Sequence, residues 1–81
     1  YFDLKLFPNP VGSLLVVQTK ALQQVLRMEV YDASAHLLWS QSYDAFHEID
    51  ARVDMSKFPA GIYFIKLTAG KNTCVEQVYK R

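Results

Sequence analysis

Two histidines and one cysteine are the residues most able to bind a transition metal. His36 and His47 stand eleven positions apart, and Cys74 follows far downstream. A structural zinc site needs four convergent ligands, anchored as a rule by a close pair such as C-x-x-C or H-x-x-x-H. No such pair occurs. The residues read instead as two turn-proximal surface histidines and a core or half-exposed thiol.

Ser42, His47 and Asp50 supply the residue types of a hydrolytic triad. A serine nucleophile also needs a strained elbow and an oxyanion pocket, and no G-x-S-x-G passage provides them. Asp44, Glu48, Asp50 and Asp54 leave a net −2 across residues 41–61 against Arg52 and Lys57. They lack the ordered spacing of an EF-hand calcium loop, and they read as a solvated, partly self-paired strand face. Gly12, Gly61 and Gly70 form no phosphate-cradling motif. Trp39 and the five tyrosines have the rings for sugar stacking, yet a small β-domain needs the same rings for core volume. Residues 62–81 hold Lys66, Lys71, Lys80 and Arg81 against Glu76, a local +3. That charge suits either an edge strand protected from aggregation or a docking surface. No enzymatic chemistry, cofactor or metal is expected.

The frame for these residues is small. Eighty-one residues with 51% hydrophobic and 14% aromatic side chains describe one domain with a thin core and no room for a deep interdomain cleft. A formal charge of +1 gives no general attraction to nucleic acid. Apolar runs such as Leu14 to Val17 are far too short for a transmembrane helix. A single cysteine excludes an internal disulfide. Tyr1 at the first position, with no targeting signal behind it, leads to the expectation that residues 1–81 are one domain excised from a larger protein.

Alternation with period two sets the fold class. Leu26, Met28 and Val30 alternate with Arg27, Glu29 and Tyr31; Ile49, Ala51 and Val53 alternate with Asp50, Arg52 and Asp54. In residues 62–68, Tyr63, Ile65 and Leu67 are expected inside, opposite Lys66, while Ile62 and Phe64 remain on the other face. The pattern predicts strands over 3–7, 13–19, 24–33, 37–43, 46–54, 61–69 and 72–79, with a short turn or 3₁₀ segment at 55–58. It is an all-β sandwich of two antiparallel sheets with about seven strands. A short helix over 21–28 is the competing reading. Pro8 and Pro10 stop the first strand or hold it at an edge, Asp54 is placed to cap Ser56 or Lys57, and Gly70 suits a hairpin turn.

Four passages in order, Leu6-Phe-Pro-Asn-Pro-Val11, Met28-Glu-Val-Tyr-Asp32, Phe58-Pro-Ala-Gly-Ile-Tyr-Phe-Ile-Lys-Leu67 and Val78-Tyr-Lys-Arg81, resemble the type A-like C-terminal sorting domain of type IX (Por) secretion cargo. The resemblance spans nearly the whole chain. It implies an immunoglobulin-like sandwich at the end of an exported protein. Such a domain is read by the outer-membrane translocation machinery and commonly removed by a sortase-like surface protease that attaches the passenger to lipopolysaccharide. The expected partners are that machinery, the protease and an N-terminal passenger, and the expected location is the cell surface or the extracellular space. The family-like positions include Tyr31 and Asp32 at the end of the central strand, and the candidate recognition residues are Pro8, Asn9, Pro10, Gly61, Tyr63, Lys66, Lys80 and Arg81. Ser34-Ala35-His36 departs from the asparagine-glycine turn and lysine of many relatives. Since a left-handed alanine costs about 1–2 kcal/mol, a different turn is expected there. Immunoglobulin-like sandwiches host many roles, so a retained structural or ligand-binding module of a surface protein stays open.

Overall fold

The computed structural model describes residues 2–81; Tyr1, the expected start of the domain, lies outside the described residues. Seven strands follow in order: β1 (Lys5–Phe7), β2 (Leu14–Thr19), β3 (Val25–Asp32), β4 (Leu37–Asp44), β5 (Ile49–Asp54), β6 (Gly61–Ala69) and β7 (Asn72–Lys80). They form a three-stranded sheet ordered β1-β2-β5 and a four-stranded sheet ordered β4-β3-β6-β7. Every neighbouring strand pair is antiparallel, as the alternation predicts. Here β4 sits with β3, β6 and β7, whereas a constant-type immunoglobulin domain joins its fourth strand to the other sheet.

The inward residues are those that alternate in the sequence. Met28, Val30, Ile49, Ala51, Tyr63, Ile65 and Leu67 are all buried, as expected from parity, and Leu15, Val17, Leu26, Val53 and Met55 complete the layer between the sheets. Each fully buried aliphatic side chain contributes roughly 1.5–3 kcal/mol relative to exposure. On β5 the alternate residues Asp50, Arg52 and Asp54 face solvent, and Asp50 lies 3.7 Å from Arg52.

Residues 21–28 contain no helix, and β3 begins at Val25, in line with the strand predicted over 24–33 and against the competing helix. Two local details differ from the sequence reading. The fifth strand starts at Ile49 rather than 46, because Ala45 is buried and anchors the preceding loop: its N–H donates to Gln24 O, and its carbonyl accepts from the N–H groups of Leu22 and Gln23. The turn after β3 does place Ala35 in the left-handed region, at φ 66°, contrary to the expectation of another turn. Asp32 organises that turn. Its Oδ1 accepts from the N–H groups of Ser34 and His36, both at 2.9 Å, and its backbone carbonyl accepts from Ala35 N–H at 3.0 Å. Three such bonds outweigh the local cost at Ala35, since a net hydrogen bond contributes about 1 kcal/mol.

Other turns follow the sequence signals. Asp54 Oδ1 accepts from Ser56 N–H at 2.9 Å, and Gly70 takes φ 60° between β6 and β7. A Cβ added at Gly70 would lie 2.7 Å from Gln24 Oε1, a contact the flexible end of that side chain can relieve, so it is the left-handed backbone that favours glycine here.

Candidate functional site

Seven of the eight candidate residues converge on one pole of the sandwich. Proline at positions 8 and 10 removes two ladder donors, so β1 ends at Phe7 and the chain leaves the three-stranded sheet. Both the Phe7–Pro8 and Asn9–Pro10 peptide bonds are cis. The crossing segment then meets the last strand. Asn9 Oδ1 accepts from Tyr79 N–H at 3.0 Å, Val11 N–H donates to Tyr79 O at 2.6 Å, and Arg81 N–H donates to Val11 O at 2.9 Å. Val11 and Lys80 thereby form an isolated parallel bridge between strands otherwise paired antiparallel.

The start of β6 lies against the same stretch. Gly61 pairs with Lys80, Ile62 with Tyr79 and Tyr63 with Val78. Gly61 adopts φ 151°, a conformation that side-chain-bearing residues rarely take. Tyr63 is 5% exposed. Its ring stacks on Phe58 with centroids 5.5 Å apart, and its hydroxyl donates to Pro59 O. The tyrosine thus fills the core with its ring and fastens the preceding turn with its tip. Lys80 is half-buried with Nζ donating to Arg81 O at 3.0 Å, and Arg81 is exposed.

Lys66 stands apart. It lies five residues along β6 from Gly61, about 17 Å by strand rise, on the outer face of the sheet. There it pairs with Glu29 of β3 and Val75 of β7. Its surroundings are the outward set of β6: half-buried Phe64 and exposed Ile62, with exposed Val75 and Tyr79 across on β7. The outer face of β6 and β7 therefore exposes apolar surface at Ile62, Val75 and Tyr79, interrupted by Lys66.

Val11 belongs with the site but was not among the candidate residues. It is fully buried and makes both backbone bonds to the last strand. An aliphatic residue directly after a double-proline stop is its signal, because a chain leaving one sheet must dock its next apolar side chain on the other.

The remaining chemical candidates are dispersed. Ser42 lies on β4 and Asp50 on β5, in different sheets. The His36 ring Nδ1 is 3.2 Å from Asp32 Oδ2. Cys74 is half-buried beside Glu76; burial first, then the neighbouring carboxylate, pushes its thiol pKa up, away from a reactive thiolate. Among the described residues, no three His, Cys, Asp or Glu side chains are grouped to hold a metal ion, and no helix is long and apolar enough to cross a membrane.

Comparison with known proteins gives this geometry a family. The family model described as the secretion system C-terminal sorting domain matches residues 5–81. Among solved structures, dimeric latent PorU from Porphyromonas gingivalis contains a region of the same fold, with a TM-score of 0.72 at 17% identity over 95% of this chain and 9% of that one. The chain therefore spans a small part of that protein, and the likeness speaks for the fold. No curated protein matches the chain. With a family model matched from the first strand to the final residue, the chain belongs to the secretion system C-terminal sorting domains, a non-catalytic family of type IX secretion signals.

Proposed function

We propose that residues 1–81 direct an N-terminal passenger across the outer membrane through the type IX machinery, and that a sortase-like surface protease then separates the domain from its passenger. The observation that carries this reading is the family match across residues 5–81. In that role the domain is cargo and substrate. Its work is to present a shape, so a preorganised surface serves it better than a reactive group. The destination is the cell surface or the extracellular space.

The recognition surface we favour is the pole where Pro8, Asn9, Pro10, Gly61, Tyr63, Lys80 and Arg81 meet, with Lys66 as a more distant contact. Two features support it. The pole fixes the final residues of the chain by backbone bonds from Val11, and it leaves the Arg81 side chain exposed. A receptor would meet residues 79–81 already held in place, with less conformational entropy to lose than on binding a loose segment.

Export of the full parent protein with and without this domain, in a bacterium carrying the type IX machinery, tests the reading. Deletion is expected to strand the passenger in the periplasm. Lys80→Ala/Arg81→Ala is expected to reduce export while the fold is retained, because Arg81 joins the sheet through its backbone. Normal export after deletion of the whole domain would overturn the sorting function and bring forward the retained surface module. Normal export of the double variant alone would remove these two side chains from the recognition surface.

A further inference from the structure

The two sheets present four edges among the described residues, and three are guarded against further strand pairing. Strand β1 is three residues long and is closed by Pro8. Strand β5 exposes Asp50, Arg52 and Asp54 on alternate positions. Strand β7 carries Glu76 and Lys80 and has its last residues covered by Asn9–Val11. Short length, charge and covering are the usual protections of an edge. Strand β4 has neither short length nor covering among the described residues, and its one irregularity is a bulge at Leu38, at the end of its pairing with β3. Its eight residues, Leu-Leu-Trp-Ser-Gln-Ser-Tyr-Asp, include no proline and one charge, Asp44, at the very end.

We propose that β4 is an association edge at which a second copy of this chain adds antiparallel, with the two-fold axis at Gln41. The occupant follows from the self-complementarity of the strand. Pairing with β3 assigns the faces: Gln41 and Tyr43 oppose inward Met28 and Leu26, Trp39 opposes inward Val30, and Ser40 and Ser42 oppose outward Glu29 and Arg27. Residues directly opposite in an antiparallel pair share a face. Centring on Gln41 satisfies this from Trp39 to Tyr43, placing Trp39 opposite the second copy's Tyr43 on the inner face and Ser40 opposite the second copy's Ser42 on the outer face. Each of those pairs occurs twice by symmetry. Aromatic pairs and hydroxyl pairs are favourable cross-strand neighbours, and no like charges meet.

The local surface agrees. Trp39 and Tyr43 pack against the core yet remain only half-buried, so a strand laid beside them would cover their open rims. Leu37 and Leu38 are 50% and 40% exposed at one end of the strand, and Phe46 is 57% exposed just beyond the other. Antiparallel addition brings the first pair of one copy toward the phenylalanine of the other. A one-strand contact of this size belongs to the small, reversible class of interfaces.

Sedimentation of the full chain over a concentration series, from about 10 µM to about 1 mM, covers the range expected for so small an interface. The parent is expected to move from monomer to dimer. Ser40→Lys/Ser42→Lys sets lysines opposite one another twice on an exposed face, and is expected to weaken association at least ~10-fold with an unchanged unfolding midpoint. Gln41→Cys in a Cys74→Ser background should form a disulfide-linked dimer under mild oxidation, since the two copies meet at that position, while Thr73→Cys in the same background should not. A parent that stays monomeric throughout, a lysine variant that still dimerises, or equal cross-linking from positions 41 and 73 would each overturn the proposal. If the lysine variant failed in export while the parent remained monomeric, the edge would belong to another protein's strand and not to a second copy.

Discussion

At one margin of the four-stranded sheet, β7 is closed by the chain itself: Asn9 and Val11 cross from the other sheet and bond to Tyr79 and Arg81. At the opposite margin, β4 presents eight residues with one charge, and no strand among the described residues lies beyond it. The two margins are built from the same antiparallel ladder, so the difference comes from what flanks each strand. Protection is concentrated on residues 79–81, at the end of β7, where the strand would otherwise fray.

The largest test of this contrast compares two tyrosines. Tyr63 is buried near the closed margin, with its hydroxyl bonded to Pro59 O, and Tyr43 is half-buried on the open one. Tyr63→Ala is expected to destabilise the domain by about 3–5 kcal/mol, measured as a lowered midpoint in chemical denaturation. Tyr43→Ala should cost clearly less. Equal losses would mean that β4 is as firmly held as the β6–β7 margin.

The next effect isolates the crossing segment. Asn9→Ala removes the acceptor for Tyr79 N–H and should cost about 1 kcal/mol, with faster hydrogen exchange at the Tyr79 amide. Asn9→Asp keeps an acceptor oxygen and should protect that amide. Exchange at the Tyr79 amide that is the same in all three proteins would show that the asparagine contributes nothing to closure.

The smallest effect concerns the turn that leads into the open margin. Hydrogen bonding from the His36 backbone amide, with further help from its ring and from the Ser34 amide, holds the Asp32 carboxyl below the usual range. A carboxyl lowered by folding stabilises the native state fully above its unfolded pKa of about 3.9, and that contribution is lost as pH falls through the lower folded value. Asp32→Asn should therefore differ from the parent most near neutrality, and the two should converge in acid. A constant difference at every pH would assign Asp32 a role unrelated to its charge.

Much of the sandwich was legible from the chain because its strands alternate cleanly. Parity alone placed Met28, Val30, Ile49, Ala51, Tyr63, Ile65 and Leu67 inside. Less regular segments were harder to read. Ala35 takes a left-handed conformation that its own side chain disfavours, and the bonds that compensate come from Asp32, three positions earlier. Ala45 delayed the start of β5 through bonds to residues 22–24, which no local pattern records. At the candidate pole, the proline-asparagine-proline and terminal passages were visible as motifs. Their meeting was not, since it depends on a parallel bridge between positions some seventy residues apart.

That distance along the chain has a consequence in time. Every other pairing in the four-stranded sheet can form as soon as neighbouring strands exist, but the bonds from Asn9 and Val11 have no counterpart until residues 79–81 have been synthesised. Contacts of such high sequence separation are slow to close, because the intervening chain must first be ordered. Closure of this seam is thus a late event in folding, and it requires the chain through residue 81. Without residues 79–81, β1 would remain paired with β2 and most of β7 with β6, while the crossing segment Asn9–Val11 would lose its partners.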